Sequence, residues 1–174
     1  MRLYEYFWYF NNVSFCIQNS PPRIYLWSCL CSISIAKKMI LYIGNILSSK
    51  KMNPPPVELI RNEVNKFSKV KMITASNKKN RILRFLHMNY VYWRNYKRVS
   101  LMFIDVYSTK AFYFTFYFAL ISKIFSLKYI PIIHGGNIEL RINKSKWMTK
   151  FVFNNADINI SPSKYVYNIF KNNN

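Results

Sequence analysis

The sequence predicts a doubly wound α/β domain, a Rossmann-like parallel sheet of about five strands flanked by helices. Two observations carry this prediction. Five short apolar runs recur between Met39 and Ile160, each ending at glycine or polar residues. The segments between them are long enough for helical crossovers, which parallel strands require, and right-handed crossovers place helices on both faces.

The first run is Ile40-Leu41-Tyr42-Ile43, which ends at Gly44 and is continuous in the manner of a strand buried on both faces. Pro54-Pro55-Pro56 leads into a helical pattern in which Val57, Ile60, Val64 and Phe67 share a face and Glu58 occupies the first turn. Val70 to Ala75 reads as the second strand. Asn80 is placed to cap a basic helix running from Arg81 to Arg98, with Ile82, Leu83, Leu86, Tyr90 and Trp93 on one side. That stripe fits packing on a sheet, while its mixture with Arg81, Arg84, Arg94, Lys97 and Arg98 also fits an anionic membrane surface. Leu101 to Ile104 is the third strand and ends at Asp105. Ser108 or Thr109 can cap the next helix, which is apolar nearly all round and is expected to be central. Tyr129 to Ile133 is the fourth strand, although Pro131 removes a ladder donor from it. A short helix over Trp147 to Phe153, a fifth strand at Ile158 to Ile160 and a final helix from Lys164 complete the series.

Composition changes at Lys37. All three cysteines (Cys16, Cys29 and Cys31) lie before it, with two Arg and one Glu, whereas residues 37–174 hold 24 basic and five acidic residues. Residues 1–38 are therefore expected to be an extension outside the fold, and residues 39–174 the domain. An odd cysteine count confined to the extension offers no disulfide framework and no metal-ligand spacing, which points to a reducing, cytoplasmic setting. The uncharged stretches Ile24 to Ala36 and Ala111 to Ser122 are 13 and 12 residues long, well short of the roughly 20 that a spanning helix needs. A formal net charge of +20 favours an anionic partner. However, Phe, Tyr, Met, Ile, Asn and Lys, the residues of A/T-rich codons, make up more than half the chain, so coding bias accounts for part of the lysine excess. No recognition-helix, zinc-finger or RNA-binding aromatic pattern accompanies the charge, and nucleic acid is not an expected partner.

In open α/β sheets ligands bind beyond the carboxyl ends of the strands, and that is where the candidate residues gather. Gly44 and Asn45 follow the first strand, without the further glycines of a dinucleotide fingerprint or P-loop. His134-Gly135-Gly136-Asn137 uses two of the three glycines in the chain, either to shape a ligand loop or to make a tight turn. Asp105 can act as a general base, a partner for a sugar hydroxyl or a turn cap. No nucleophile elbow or cysteine nucleophile appears in the domain.

The segments MILYIGNILSSKK, ITASNKKNRILRFL, LMFIDVYSTKAFYFTFYFALISK, YIPIIHGGNI and FNNADINISPSKYVYNIF resemble, in order, the amino-terminal half of a bacterial glycosyltransferase. The family is the large retaining one, family four or "group 1", with the two-domain GT-B fold; IDVYSTKAFYF, PIIHGGN and NADINISPSKY carry the resemblance best. It implies sugar transfer from a nucleotide-sugar donor to a glycan or lipid-linked acceptor in surface polysaccharide synthesis, with no metal and no cofactor. By the same resemblance Gly44 and Asn45 lie beside the donor phosphates and His134 reaches the donor sugar, its loop shaped by Gly135, Gly136 and Asn137. Ser161 and Ser163 match the turn leading to the interdomain cleft, and Asp105, Tyr107 and Ser108 a segment on the acceptor side. The family's second domain, with its paired glutamates, has no counterpart in these residues. The chain is therefore expected to resemble a truncated or split enzyme, inactive without a carboxyl-terminal partner domain, working in the cytoplasm or peripherally at the inner face of the plasma membrane. The other expectation is a non-catalytic basic module that docks on an anionic membrane or glycolipid surface.

Overall fold

A computed structural model describes residues 7–10, 13–18, 39–44, 57, 60–61, 64, 70–134, 137–161, 165–166 and 168–169. The strands are β1 (Phe7–Phe10), β2 (Val13–Gln18), β3 (Met39–Ile43), β4 (Lys71–Ala75), β5 (Val99–Tyr107), β6 (Lys128–His134) and β7 (Asn159–Ser161). The helices are α1 (Arg81–Asn95), α2 (Phe112–Ile124), α3 (Ile138–Lys144) and α4 (Lys146–Asn154). The sheet order is β1-β2-β7-β6-β5-β3-β4. Its five strands from β3 to β7 are parallel and flanked by helices, the doubly wound, Rossmann-like arrangement the sequence predicts. By its internal contacts the chain forms two compact units, Ile33–Phe103 and Met1–Ser32 with Ile104–Asn174, divided within β5.

In the unit Ile33–Phe103, β3 and β4 pair in register from Met39↔Lys71 to Ile43↔Ala75. Ile40, Leu41 and Tyr42 are fully buried, as a strand covered on both faces must be. Ser100 Oγ donates to the Met39 carbonyl at 3.1 Å. Asn80 caps α1, its Oδ1 accepting from the N–H groups of Ile82 (2.9 Å) and Leu83 (3.4 Å). Arg84 secures the approach to the helix by donating to the carbonyls of Lys78 and Lys79. The face that α1 buries is not the stripe read as its core side. Met88 and Tyr92 are buried, whereas Ile82, Leu83, Leu86, Tyr90 and Trp93 are all exposed. The helix carries two apolar faces, and hydrophobic periodicity picks out the longer one. Val57, Ile60, Arg61 and Val64 are helical, as expected, and Val57 is buried.

In the other unit, α2 buries Phe112, Thr115, Phe118, Ala119, Ile121 and Ser122. The two hydroxyls are satisfied locally: Ser122 donates to the Phe118 carbonyl at 2.6 Å and Thr115 to the Asp105 carbonyl at 2.8 Å. Exposed Tyr113, Leu120 and Ile124 show that α2, expected to be central, has a covered side and an open one. Trp147 and Phe151 of α4 pack against Phe116 of α2, each with a centroid separation of 5.5 Å. The Tyr129 hydroxyl donates to the Val152 carbonyl at 2.7 Å, joining β6 to α4. Pro131 stands within β6, and the registered pair with β7 falls on the next residue, Ile132↔Ile160. Helix α3 has no counterpart in the sequence reading. Residues 1–38, expected outside the fold, contribute the β1–β2 hairpin, whose second strand pairs antiparallel with β7 from Cys16↔Ser161 to Gln18↔Asn159. The hairpin occupies backbone groups that β7 would otherwise present as an unpaired sheet edge. Among the described residues no helix is long and apolar enough to cross a membrane.

Candidate functional site

Strands β5 and β6 are neighbours in the sheet and end at Tyr107 and His134. Parallel alignment places both carboxyl ends on one edge, and two residues 29 apart in sequence meet there. His134 Nε2 lies 2.8 Å from Asp105 Oδ1. The Tyr107 hydroxyl donates to the other carboxylate oxygen, Oδ2, at 3.2 Å. The Tyr107 and His134 rings stack with centroids 5.5 Å apart and planes inclined by 27°. Asp105 is thus fixed from several sides, because its backbone carbonyl also accepts from Thr115 on α2.

The chemistry of this cluster follows from which atoms can donate. An ionised carboxylate only accepts, so Nε2 carries the proton of the Asp105 contact, and in the neutral ring Nδ1 is the acceptor. The Asp105 side chain is 4% exposed and that of His134 18%, so the carboxylate is enclosed while the imidazole reaches the surface. The carboxylate is placed to hold the ring in one tautomer and direction.

Beside the cluster, the turn after β5 is clamped by Arg141 of α3. Its Nε donates to the Ser108 carbonyl at 3.0 Å and its Nη2 to the Thr109 carbonyl at 2.9 Å. The guanidinium lies over the rings of Phe112 (5.3 Å) and Tyr113 (5.7 Å). It is buried, and among the described residues no carboxylate pairs with it. Sequence reasoning missed Arg141. Its one signal is position, three residues after Ile138 and next to Ile142, both of which are buried with it. In so basic a chain one more arginine looks like a solvated surface charge.

Of the residues singled out in the sequence, Asp105, Tyr107 and His134 come together, and Ser108 is drawn in through its carbonyl. Asn137 immediately precedes α3 without a side-chain cap. Ser161 is buried in β7. Gly44 lies in the unit Ile33–Phe103, where its N–H donates to the Ala75 carbonyl at 2.7 Å and its own carbonyl accepts from Ser76 at 2.9 Å. Asn45, Gly135, Gly136 and Ser163 lie outside the described residues. Among the described residues no group of three or more His, Cys, Asp or Glu side chains is placed to hold a metal ion. No family model, curated protein or solved structure matches the chain.

Proposed function

We propose that this chain is the amino-terminal, acceptor-side half of a two-domain GT-B glycosyltransferase, working in the cytoplasm on a nucleotide-sugar donor and a glycan or lipid-linked acceptor. The observation that carries the reading is the Asp105–His134 contact of 2.8 Å at the carboxyl ends of adjacent parallel strands, the edge at which open α/β sheets bind ligands. The segments around these two residues are also those through which the sequence resembles the family.

In this reading Asp105 and Tyr107 orient the imidazole. With Nε2 engaged, Nδ1 accepts a hydrogen bond from a hydroxyl of the donor sugar. During transfer the bond between the anomeric carbon and the leaving diphosphate oxygen breaks, a bond to the acceptor oxygen forms with retained configuration, and the acceptor hydroxyl's proton passes to the departing diphosphate oxygen. The departing diphosphate is stabilised by groups of the carboxyl-terminal domain, so the histidine contributes orientation rather than the main charge stabilisation. Supplied with a carboxyl-terminal donor domain, a radiolabelled nucleotide-sugar and a lipid-linked acceptor, the chain is expected to support sugar transfer. His134→Ala should lower turnover about 10²-fold, the low end for a positioned polar group acting in the transition state. Undiminished transfer by His134→Ala would remove the residue from the site.

A further inference from the structure

We propose that the outward face of α1 is a docking surface for an anionic lipid bilayer, with the helix lying in the headgroup plane. On that face Ile82 is 71% exposed, Leu86 57%, Tyr90 58% and Trp93 43%. At 100° per residue these four, with Leu83, fall within about a third of the helix circumference. Single exposed apolar residues are ordinary; five exposed on one face of a helix whose opposite face is buried make a patch of the kind that marks an interaction surface.

Charge identifies the partner. Exposed Lys78, Lys79 and Arg81 stand at the amino-terminal end of the stripe, and exposed Arg94, Lys97 and Arg98 at the other. Lys79 and Lys97 lie just outside the two ends of the helix, so an exposed cation stands beyond each end of α1. Between Glu63 and Asp105 the sequence holds no acidic residue at all, so nothing within this segment neutralises the field the helix presents. Arg94 lies over the Tyr90 ring at 5.8 Å, which pairs a cation with an amphipathic aromatic group. Apolar side chains that enter the acyl boundary, aromatic rings at the headgroups and flanking cations on lipid phosphate are the three components of interfacial helix binding. An acidic protein groove would match the charge but gives no reason for tyrosine and tryptophan to lie together at the carboxyl-terminal end of the stripe, beside Arg94 and Lys97. This surface lies in the unit Ile33–Phe103, and its test reads lipid binding and not sugar transfer, so it stands or falls independently of the enzymatic proposal.

The test is vesicle flotation with the full 174-residue chain, comparing phosphatidylcholine vesicles with vesicles that contain about one-third phosphatidylglycerol. Binding to the anionic vesicles is expected to be at least about tenfold tighter, and to weaken as salt rises from about 0.1 M to about 0.5 M. Leu86→Ser with Trp93→Ser removes apolar contact at exposed positions and should weaken binding about tenfold or more. Arg94→Gln with Lys97→Gln removes two cations and should weaken it about 30-fold, a second variant that leaves the apolar stripe untouched. Circular dichroism of each variant is expected to match the parent. Equal binding to both vesicle types, salt-independent binding, or full binding by both double variants would overturn the proposal. So would a lipid-free self-association that Leu86→Ser with Trp93→Ser abolishes, which assigns the face to a second copy. Displacement from vesicles by polyuridylate at equal charge would assign it to RNA.

Discussion

Among the described residues Asp105 serves two neighbours with its carboxylate, accepting from His134 at Oδ1 and from Tyr107 at Oδ2. Asp105→Ala would leave both donors without that acceptor in a largely enclosed place, at a cost of about 2–3 kcal/mol. Tyr107→Phe deletes one long hydrogen bond to the carboxylate and keeps the ring stack, so a smaller cost of about 1.5 kcal/mol is expected. Urea denaturation of the two variants should show that order, and an Asp105→Ala variant as stable as the parent would show that the cluster carries no structural load. Tyr129 gives a pH-dependent counterpart. Burial first, and the negative charge of Asp157 second, raise its phenol above the ordinary value. The folded state therefore prefers the neutral hydroxyl. The stability this contributes is complete below about pH 10, the unfolded value, and declines as pH rises from there toward the folded value. Stability measured at about pH 9 and about pH 11 should fall more for the parent than for Tyr129→Phe, and equal losses would refute the assignment. At this scale the sequence was partly legible. It marked Asp105 and His134 as strand-end residues, but their contact depends on which strands become neighbours, and spacing along the chain does not encode that. Arg141 was hidden because its role lies in carbonyl acceptors contributed by a distant turn.

Strands and helices differed in how plainly they could be read, for a physical reason. A parallel strand covered on both faces is apolar over most of its length, so β3, β5 and β6 carry the apolar runs Ile40 to Ile43, Leu101 to Ile104 and Tyr129 to Ile133 whichever way they face. A helix is read from the side it hides, and α1 has two candidates. Its longer apolar stripe passes through Leu86 and faces outward, while the shorter one, with Met88 and Tyr92, is covered. Helix α3 escaped notice because it spans seven residues, directly after a glycine pair that signals a loop. The reversed facing of α1 can be measured through stability. Tyr92→Ala should cost about 3–5 kcal/mol and Met88→Ala about 2–5 kcal/mol, as large-to-small changes in a core do. Leu86→Ala should stay within about 0.5 kcal/mol of the parent, as an exposed substitution does. Thermal or urea unfolding of the three variants distinguishes the two facings, because a sheet-packed Leu86 would reverse the order.

For the molecule as a whole, charge is the dominant feature. The sequence has 26 Lys and Arg against six Asp and Glu, so even one-to-one pairing of every acid would leave most cations without a carboxylate. Among the described residues, Asp157 pairs with Lys128 at 4.0 Å, and Asp105 is committed to His134. The remaining cations repel one another in the compact state and move apart on unfolding, so net charge far from zero opposes folding. The apolar core must outweigh that repulsion. Salt separates the two effects, because screening shortens the reach of exposed charges from about 30 Å at 0.01 M to about 8 Å at physiological ionic strength. Sodium chloride is the appropriate salt, since sulfate would also strengthen apolar burial by exclusion from the surface. If repulsion amounts to about 1–2 kcal/mol of lost stability at low salt, screening it should raise Tm by about 2–8 °C for a chain of this length. Calorimetry of the chain in dilute buffer and at about 0.15 M sodium chloride should show that rise. The same rise should shrink in a variant in which several exposed lysines outside α1, such as Lys123, Lys144 and Lys150, are replaced by glutamine. A Tm that falls with added sodium chloride would mean that favourable ion pairs, rather than repulsion, dominate the charge balance.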